Sequence, residues 1–274
     1  MPAAVVPVAV GAASAVGEPT DIVWWRVAAA LIVSLSLQVG VNYANDYSDG
    51  VRGTDDVRVG PTRLVASGLA SPSAVKRAAL LSFAVAAVAG LTIALSTSLI
   101  LLVVGAAAIA AGWFYTGGPK PYGYLGLGEV FVFVFFGLVA TAGTTFAAIE
   151  SVTALSLVMG SAVGALACAL LVINNLRDIP TDREVGKKTL AVRLGDQRTR
   201  WFYVGLIGAA FVLSAVGAAW RLPVLLGLAA IPLAIRPVRS VLGGATGAAL
   251  IPVLGETGKL QLAWGLLVTI GHAL

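Results

Sequence analysis

The chain has 274 residues, 58% of them hydrophobic and only 11% charged, with a mean hydropathy of +0.94 and a formal net charge of +5. A soluble domain carries roughly 25% charged residues, so a water-soluble globule is excluded and an integral membrane protein is indicated. The pI near 9.6 does not point to nucleic acid, because the basic residues are scattered over short connections between apolar runs; orientation in the bilayer and contact with anionic lipid or phosphate are their expected roles.

Many of the apolar runs are about 17–25 residues long, enough to cross a hydrocarbon core as helices, and they lack the alternation of barrel strands. The expected fold class is all-α, a polytopic membrane protein of about nine transmembrane helices near 2–17, 22–48, 73–96, 98–116, 125–148, 151–177, 200–219, 221–235 and 256–273. The first run, Pro2 to Val16, has the apolar core of a signal peptide but no basic leader, and Glu18 and Asp21 follow it, so it reads as a retained helix. Gly90, Gly105, Gly137, Gly143, Gly160 and Gly164 fall inside these spans, where small residues permit close helix packing. Cys168 is the only cysteine and lies in an apolar run, which excludes a disulfide or a thiolate metal cluster. Trp24, Trp25, Trp113 and Trp220 read as interfacial anchors.

Alternating the spans across the membrane leaves only Arg26 and Arg221, of 18 basic residues, on one side. The positive-inside rule makes the crowded side cytoplasmic. On that side fall the ends of helices two and six, which carry Asn42-Tyr-Ala-Asn45-Asp46-Tyr-Ser-Asp49 and Asn174-Asn175-Leu-Arg177-Asp178-Ile-Pro-Thr-Asp182. Asn42/Asp46 and Asn174/Asp178 share one spacing, which hints at duplicated four-helix halves, about 1–120 and 121–240, within a single transmembrane domain at 1–274.

Carboxylates beside a bilayer are costly unless a cation, a partner or water compensates them. Residues three and four apart share a helix face, so Asn42, Asn45, Asp46 and Asp49 should converge their oxygens. Magnesium is bound by a few such groups with phosphate oxygens completing its shell. In the second motif Pro180 lacks an N–H and its ring clashes with the preceding turn, so the helix should end or distort there, with Asp182 reaching in from a turn. Arg63, Lys120, Arg177, Arg183, Lys187 and Lys188 stand nearby in sequence or on the same side. Acids alone would suit a cation pathway and bases alone an anion site. Their mixture suits a metal-bridged diphosphate whose departure the site assists, and in a membrane that points to a lipid diphosphate.

These motifs are where the chain resembles the UbiA superfamily of intramembrane prenyltransferases. The likeness runs through Pro2-Ala-Ala-Val-Val-Pro-Val, both acidic motifs, Pro61-Thr-Arg63-Leu-Val-Ala-Ser-Gly68, Tyr124-Leu-Gly-Leu-Gly-Glu129 and Gly186-Lys187-Lys188-Thr189-Leu-Ala-Val-Arg193-Leu-Gly195. The last two stretches are similar to the 1,4-dihydroxy-2-naphthoate branch. The resemblance implies nine helices around a central cavity open to membrane lipid, and Mg2+ as cofactor with Mn2+ as a substitute. It implies transfer of a polyprenyl group from polyprenyl diphosphate to 1,4-dihydroxy-2-naphthoate with loss of carbon dioxide, giving demethylmenaquinone at the cytoplasmic face of the cell membrane. Asn45, Asp46, Asp49, Asp178 and Asp182 would hold metal and diphosphate. Asn42, Arg63, Lys120, Tyr115, Asn174, Asn175, Arg177, Lys187 and Glu129 would bind substrates, with Tyr43, Tyr47, Tyr122 and Tyr124 as further candidates to face the cation. The broader superfamily often has another Asp four residues after Asp49, where this chain has Gly53, leaving Asp55 as the candidate replacement.

Three other readings stay open at this point. Another aromatic quinone precursor would suit the same site. Asp46-x-x-Asp49-Gly50 begins like the motif of CDP-alcohol phosphotransferases but continues differently, and inward carboxylates also mark cation-coupled transporters. His272, the only histidine, falls at the membrane face opposite the motifs.

Overall fold

A computed structural model describes residues 1–54 and 62–274; Asp55, Asp56, Arg58 and Pro61 lie outside the described residues. The helices are α1 (Pro2–Ala13), α2 (Trp24–Arg52), α3 (Pro72–Ser96), α4 (Ile100–Phe114), α5 (Gly128–Val132), α6 (Ala140–Ile149), α7 (Ala154–Glu184), α8 (Leu190–Leu194), α9 (Asp196–Gly217), α10 (Ile231–Leu242) and α11 (Leu250–Ala273). A π-helical stretch, Phe133–Val139, joins α5 to α6 as one span, and a 3-10 stretch, Leu222–Ala230, leads into α10 as another. Among the described residues helical segments stand near all nine expected positions. Six are long and apolar enough to cross a membrane, while α1 and α4 are shorter apolar helices.

The bundle is organised around α7. Of its most apolar window 72% is buried, against 22–33% for the other five long spans, so α7 is the central post and the rest present a face to lipid. Its Met159, Val163, Leu166 and Ile173 pack in one cluster with Tyr203 of α9, Val224 of the 3-10 stretch and Trp264 of α11. The polar tips of those aromatics are satisfied: the Tyr203 hydroxyl lies 2.7 Å from the Thr257 hydroxyl, and the Trp264 indole donates to Ser214 at 2.9 Å. Outward, Leu81, Val85 and Leu95 of α3 and Val103 of α4 are exposed, as expected of surfaces solvated by acyl chains.

Local chemistry sets the helix ends. Ser71 and Thr153 accept from the backbone N–H groups of Ala74 and Ser156 and start α3 and α7. Gly53 ends α2 with φ of 69°, a left-handed C-terminal position where glycine carries no Cβ penalty and an aspartate would be strained. Far from the motifs, Arg26 joins Glu150 at 2.8 Å and the Ser96 carbonyl at 2.7 Å, tying the ends of α2, α6 and α3. Trp24, Trp25 and Trp220 are exposed, whereas Trp113 packs beside Tyr47.

Two expectations are corrected. The helix does not end at Pro180: α7 continues to Glu184, so Asp182 stands on the helix one turn after Asp178. Pro180 lies close enough to the C-terminus that little helix beyond it depends on the lost hydrogen bond. The glycines also divide into two groups. A Cβ on Gly137 would lie 2.5 Å from Gly164 Cα and 2.7 Å from the Gly160 carbonyl oxygen, so these three allow direct backbone contact between the π-helical stretch and α7. A Cβ on Gly105 or Gly143 would meet nothing within 4 Å, and one on Gly90 would only touch Val33; all three line a cavity.

Gly137→Ala should therefore destabilise the bundle by about 1–3 kcal/mol through overpacking, whereas Gly143→Ala should change little. Thermal unfolding of both variants in one detergent would check the contrast, and equal melting temperatures would contradict it.

Candidate active site

The cavity has a volume of about 1040 Å³. Along α2 it is lined from Ala30 to Asp49, 19 residues apart, or roughly 28 Å at 1.5 Å per residue, so it follows the helix through most of a bilayer. Its far part is apolar, with Ile93, Leu101, Val104 and Ala147 in the wall. Its polar end gathers Asn42, Asn45 and Asp49 from α2, Asn174, Asn175, Asp178 and Asp182 from α7, and Arg63 and Lys187 from the segments that follow. Residues more than a hundred positions apart thus share one chamber.

The join between the motifs is specific. Asp49 Oδ1 accepts a 2.7 Å hydrogen bond from the Tyr124 hydroxyl and lies 3.4 Å from Lys187 Nζ, and both ionic side chains are about nine-tenths buried. Burial, and then the charge of Asp49, hold the Tyr124 phenol above its ordinary pKa, so it is a donor at neutral pH. Lys187 Nζ also sits 4.7 Å from the Tyr124 ring centroid. Asn45 Oδ1 accepts from Thr116 at 2.8 Å. Arg52 donates to the carbonyls of Thr116 and Gly118, fastening the end of α2 to the segment after α4.

On α7, Arg177 is buried and grips Asp178 through two contacts of 2.6 and 2.8 Å, without lining the cavity. The Asn175 amide donates to Glu129 Oε1 at 2.9 Å; because that partner is a carboxylate, the amide nitrogen faces it and Asn175 Oδ1 is left for the chamber. Glu129 is buried, and its other oxygen has no hydrogen-bond partner among the described residues. Cys168 donates to the Glu129 carbonyl at 3.1 Å as a packed helix residue.

Next to the polar end lies an aromatic wall. Tyr115 meets Tyr122 edge-on at 5.5 Å, Tyr122 stacks on Phe131 at 3.9 Å, and Phe131 on Phe135 at 6.1 Å. All four line the cavity. Tyr43 and Tyr47 do not: Tyr43 packs with Ala79 and Phe83, and Tyr47 stacks on Trp113. Lys120 is exposed and outside the lining.

Asp46 departs from the expected convergence. With Asn42 as the zero of a helical wheel at 100° per residue, Gln38, Asn45 and Asp49 fall at about −40°, −60° and −20°, but Asp46 at about +40° and Gly50 at about +80°. The cavity takes the negative side. Asp46 is buried away from it, accepting from the backbone N–H groups of Leu64 and Val65. The sequence reading also passed over Gln38 and Thr116, which line the chamber. Gln38 was detectable four residues before Asn42, whereas Thr116 carries no spacing signal at all.

Among the described residues no three carboxylate, histidine or cysteine side chains form a metal cage by themselves. The hard oxygens of Asn45, Asp49, Asp178 and Asp182 instead line a shared chamber from two helices, a donor set suited to magnesium when phosphate oxygens complete the shell.

Fold and chamber together define a helical membrane protein with a deep apolar pocket closed at one end by acids and bases. Residues 4–255 match the UbiA prenyltransferase family, and the chain belongs to that family. The 1,4-dihydroxy-2-naphthoate octaprenyltransferase of Mycobacterium tuberculosis (strain ATCC 25618 / H37Rv) is 52% identical over 268 residues, covering 98% of this chain and 91% of that protein. Among solved structures, the apo form of a UbiA homolog from Aeropyrum pernix K1 superposes with a TM-score of 0.74 at 16% identity, over 98% of this chain and 96% of that one. A UbiA homolog from Archaeoglobus fulgidus bound to DMAPP and Mg2+ gives 0.61 at 14% identity, over 98% and 96%. The partial likeness to a CDP-alcohol phosphotransferase motif thereby loses its meaning. Gly50 has a packing cause instead, since a Cβ there would lie 2.5 Å from Val65 Cγ1.

Tyr124→Phe keeps the ring beside Lys187 but removes the donor to Asp49. Prenyl transfer should fall about 10-fold, the scale of one hydrogen bond to a charged group, with an unchanged melting temperature. Steady-state rates beside a thermal melt check this, and a wild-type rate would show that Tyr124 is packing only.

Proposed function

We propose that the protein transfers a polyprenyl group from polyprenyl diphosphate to 1,4-dihydroxy-2-naphthoate with loss of carbon dioxide, yielding the hydroquinone form of demethylmenaquinone, with Mg2+ as cofactor and Mn2+ able to replace it. The observation that carries the site assignment is that both Asn/Asp motifs and Lys187 line the polar end of one lipid-length cavity. The acceptor follows from the 52% identical naphthoate prenyltransferase relative, and the metal from the Mg2+ and DMAPP named for the archaeal homolog. The concentration of basic residues at the motif end supports a chamber facing the cytoplasmic side of the cell membrane.

Magnesium, held by Asn45, Asp49, Asp178 and Asp182, would supply charge neutralisation to the departing diphosphate. Arg63 and Lys187 complete the anion's surroundings. In the Asp49–Lys187 pair each member has a more highly charged ligand to turn to when a metal diphosphate enters, so the pair keeps both groups placed without a large barrier to exchange. The bond between the allylic carbon and the diphosphate oxygen breaks with its electron pair leaving on the diphosphate. Tyr115, Tyr122, Phe131 and Phe135, which line the cavity, would shield the allylic cation from water. Asn175, oriented by Glu129, offers an acceptor to a hydroxyl of the naphthoate ring. The ring carbon bearing the carboxylate forms the new bond, and carbon dioxide leaves with return of its electron pair to the ring.

Purified protein given Mg2+, labelled prenyl diphosphate and 1,4-dihydroxy-2-naphthoate should release diphosphate and form an extractable prenylated product. EDTA should stop the reaction, and Mg2+ or Mn2+ should restore it. Asp49→Ala, Asp178→Ala and Asp182→Ala should each lower turnover by at least about 100-fold in folded protein; near-wild-type activity in two of them would sink the site assignment. Gly143→Phe places a ring in open cavity space. It should shift preference toward shorter prenyl diphosphates, read as the ratio of kcat/KM for a two-unit and an eight-unit donor.

A further inference from the structure

We propose that Asp46, although it sits in the middle of the first acidic motif, is a positioning residue that seats Arg63 at the chamber, and that it contacts neither metal nor diphosphate. Its carboxylate forks over two successive amides: Oδ2 accepts from Leu64 N at 2.9 Å and Oδ1 from Val65 N at 3.0 Å. Asp46 is 5% exposed and absent from the cavity wall, whereas Arg63, the residue directly before those amides, is in the wall.

The contact is a built seat. Gly50, one turn beyond Asp46, lets Val65 lie against the backbone of α2, since any Cβ there would come within 2.5 Å of Val65 Cγ1. The segment itself is a compact turn: Ser67 N donates to the Arg63 carbonyl at 3.1 Å, Gly68 N to Val65 at 3.0 Å, and Ala70 N to Leu64 at 3.1 Å. Fixing Leu64 and Val65 on α2 therefore fixes the backbone origin of Arg63. To reach a metal in the chamber, Asp46 would have to turn to the other face of α2 and abandon two backbone donors, each costly to leave unsatisfied in a buried position. The motif is thus divided by helix face, with Asn42, Asn45 and Asp49 for ligands and Asp46 with Gly50 for the loop that delivers Arg63.

This inference rests on the reading of Arg63 as a diphosphate contact, and the test separates the two. Full-length protein in nanodiscs would be compared as wild type, Asp46→Asn, Asp46→Ala, Arg63→Ala and the Asp46→Ala/Arg63→Ala double variant. The first readout is amide hydrogen exchange across residues 62–70. Protection at Leu64 and Val65 should be lost in Asp46→Ala and partly kept in Asp46→Asn, whose single side-chain oxygen can still accept; equal exchange in wild type and Asp46→Ala overturns the proposal.

The second readout is binding of a non-cleavable prenyl thiodiphosphate, with KM values for donor and acceptor. Asp46→Ala should weaken donor binding and raise donor KM about 10-fold, comparable to Arg63→Ala. The acceptor KM and the Mg2+ concentration for half-maximal activity should stay within about two-fold. The double variant should be no worse than Arg63→Ala, the signature of two residues acting through one contact. A ten-fold rise in the Mg2+ requirement of Asp46→Ala, or losses that add in the double variant, overturns the proposal in favour of direct ligation. If Arg63→Ala binds the donor like wild type, the diphosphate role of Arg63 fails with it, while the exchange data still report whether Asp46 seats the loop. Should Asp46→Ala not fold, Gly50→Val, which displaces Val65 with Asp46 intact, must reproduce the raised donor KM at an unchanged Mg2+ requirement; a wild-type donor KM in Gly50→Val overturns the proposal.

Discussion

The meeting of Lys187, Asp49 and the Tyr124 hydroxyl is the interaction on which the polar end of the chamber depends. A charged pair with its members about nine-tenths buried is weak evidence for stability, because desolvating both ions consumes most of what their attraction returns. Its value lies in placement. Asp49 comes from α2, Lys187 from the turn after α7, and Tyr124 from the short connection between α4 and α5, so three distant parts of the chain are brought into register at one point. Nearby backbone bonds reinforce that register: Lys188 N donates to the Tyr124 carbonyl at 3.0 Å, and Lys187 N to the Asp182 carbonyl at 2.8 Å.

The bilayer explains why such a junction sits at the ends of the helices and not within their apolar lengths. In the hydrocarbon region every backbone group must be satisfied within helices, and the bundle supplies that with long apolar spans meeting through bare backbone at Gly137, Gly160 and Gly164. Polar side chains there spend their hydrogen bonds on neighbouring helix carbonyls, as Ser34 does on Ala4 at 2.8 Å and Thr145 on Gly11 at 2.7 Å. The polar side chains that line the chamber gather where α2 and α7 approach one end, and the wall beyond them is apolar. The cavity therefore has a polarity gradient along its length, which matches a ligand with a charged head and an apolar tail.

Much of this was legible from sequence because it rests on composition and on helical spacing. Long apolar runs gave the spans, and the asymmetry of basic residues gave a common end for both motifs. Spacing failed where two faces of one helix are both occupied. Asn42 and Asp46 are four apart, and the rule that such residues are neighbours holds, yet it does not say on which side of Asn42 the chamber lies. Pro180 misled for a different reason, since it stands four residues before the end of α7 and little helix beyond it depends on the lost hydrogen bond. The role of Tyr124 as a donor to Asp49, and the separation of the glycines into contact and lining positions, depend on which elements become neighbours in space, and no local pattern encodes that.

The two motifs follow one logic despite their different residues. In each, a helix turns one set of oxygens to the chamber and uses an adjacent polar residue to tie something behind it: on α2 Asp46 holds the turn that carries Arg63, and on α7 Arg177 holds Asp178 itself. Asn175 does likewise, spending its amide on Glu129 and keeping its carbonyl for the chamber. Side chains that must stay placed while highly charged ligands enter and leave need such fixing, because the attraction of metal and diphosphate would otherwise pull flexible groups out of position at each turnover. The Asn/Asp motifs of this chain therefore comprise two interleaved sets, side chains that line the chamber and side chains that tie the chain behind it.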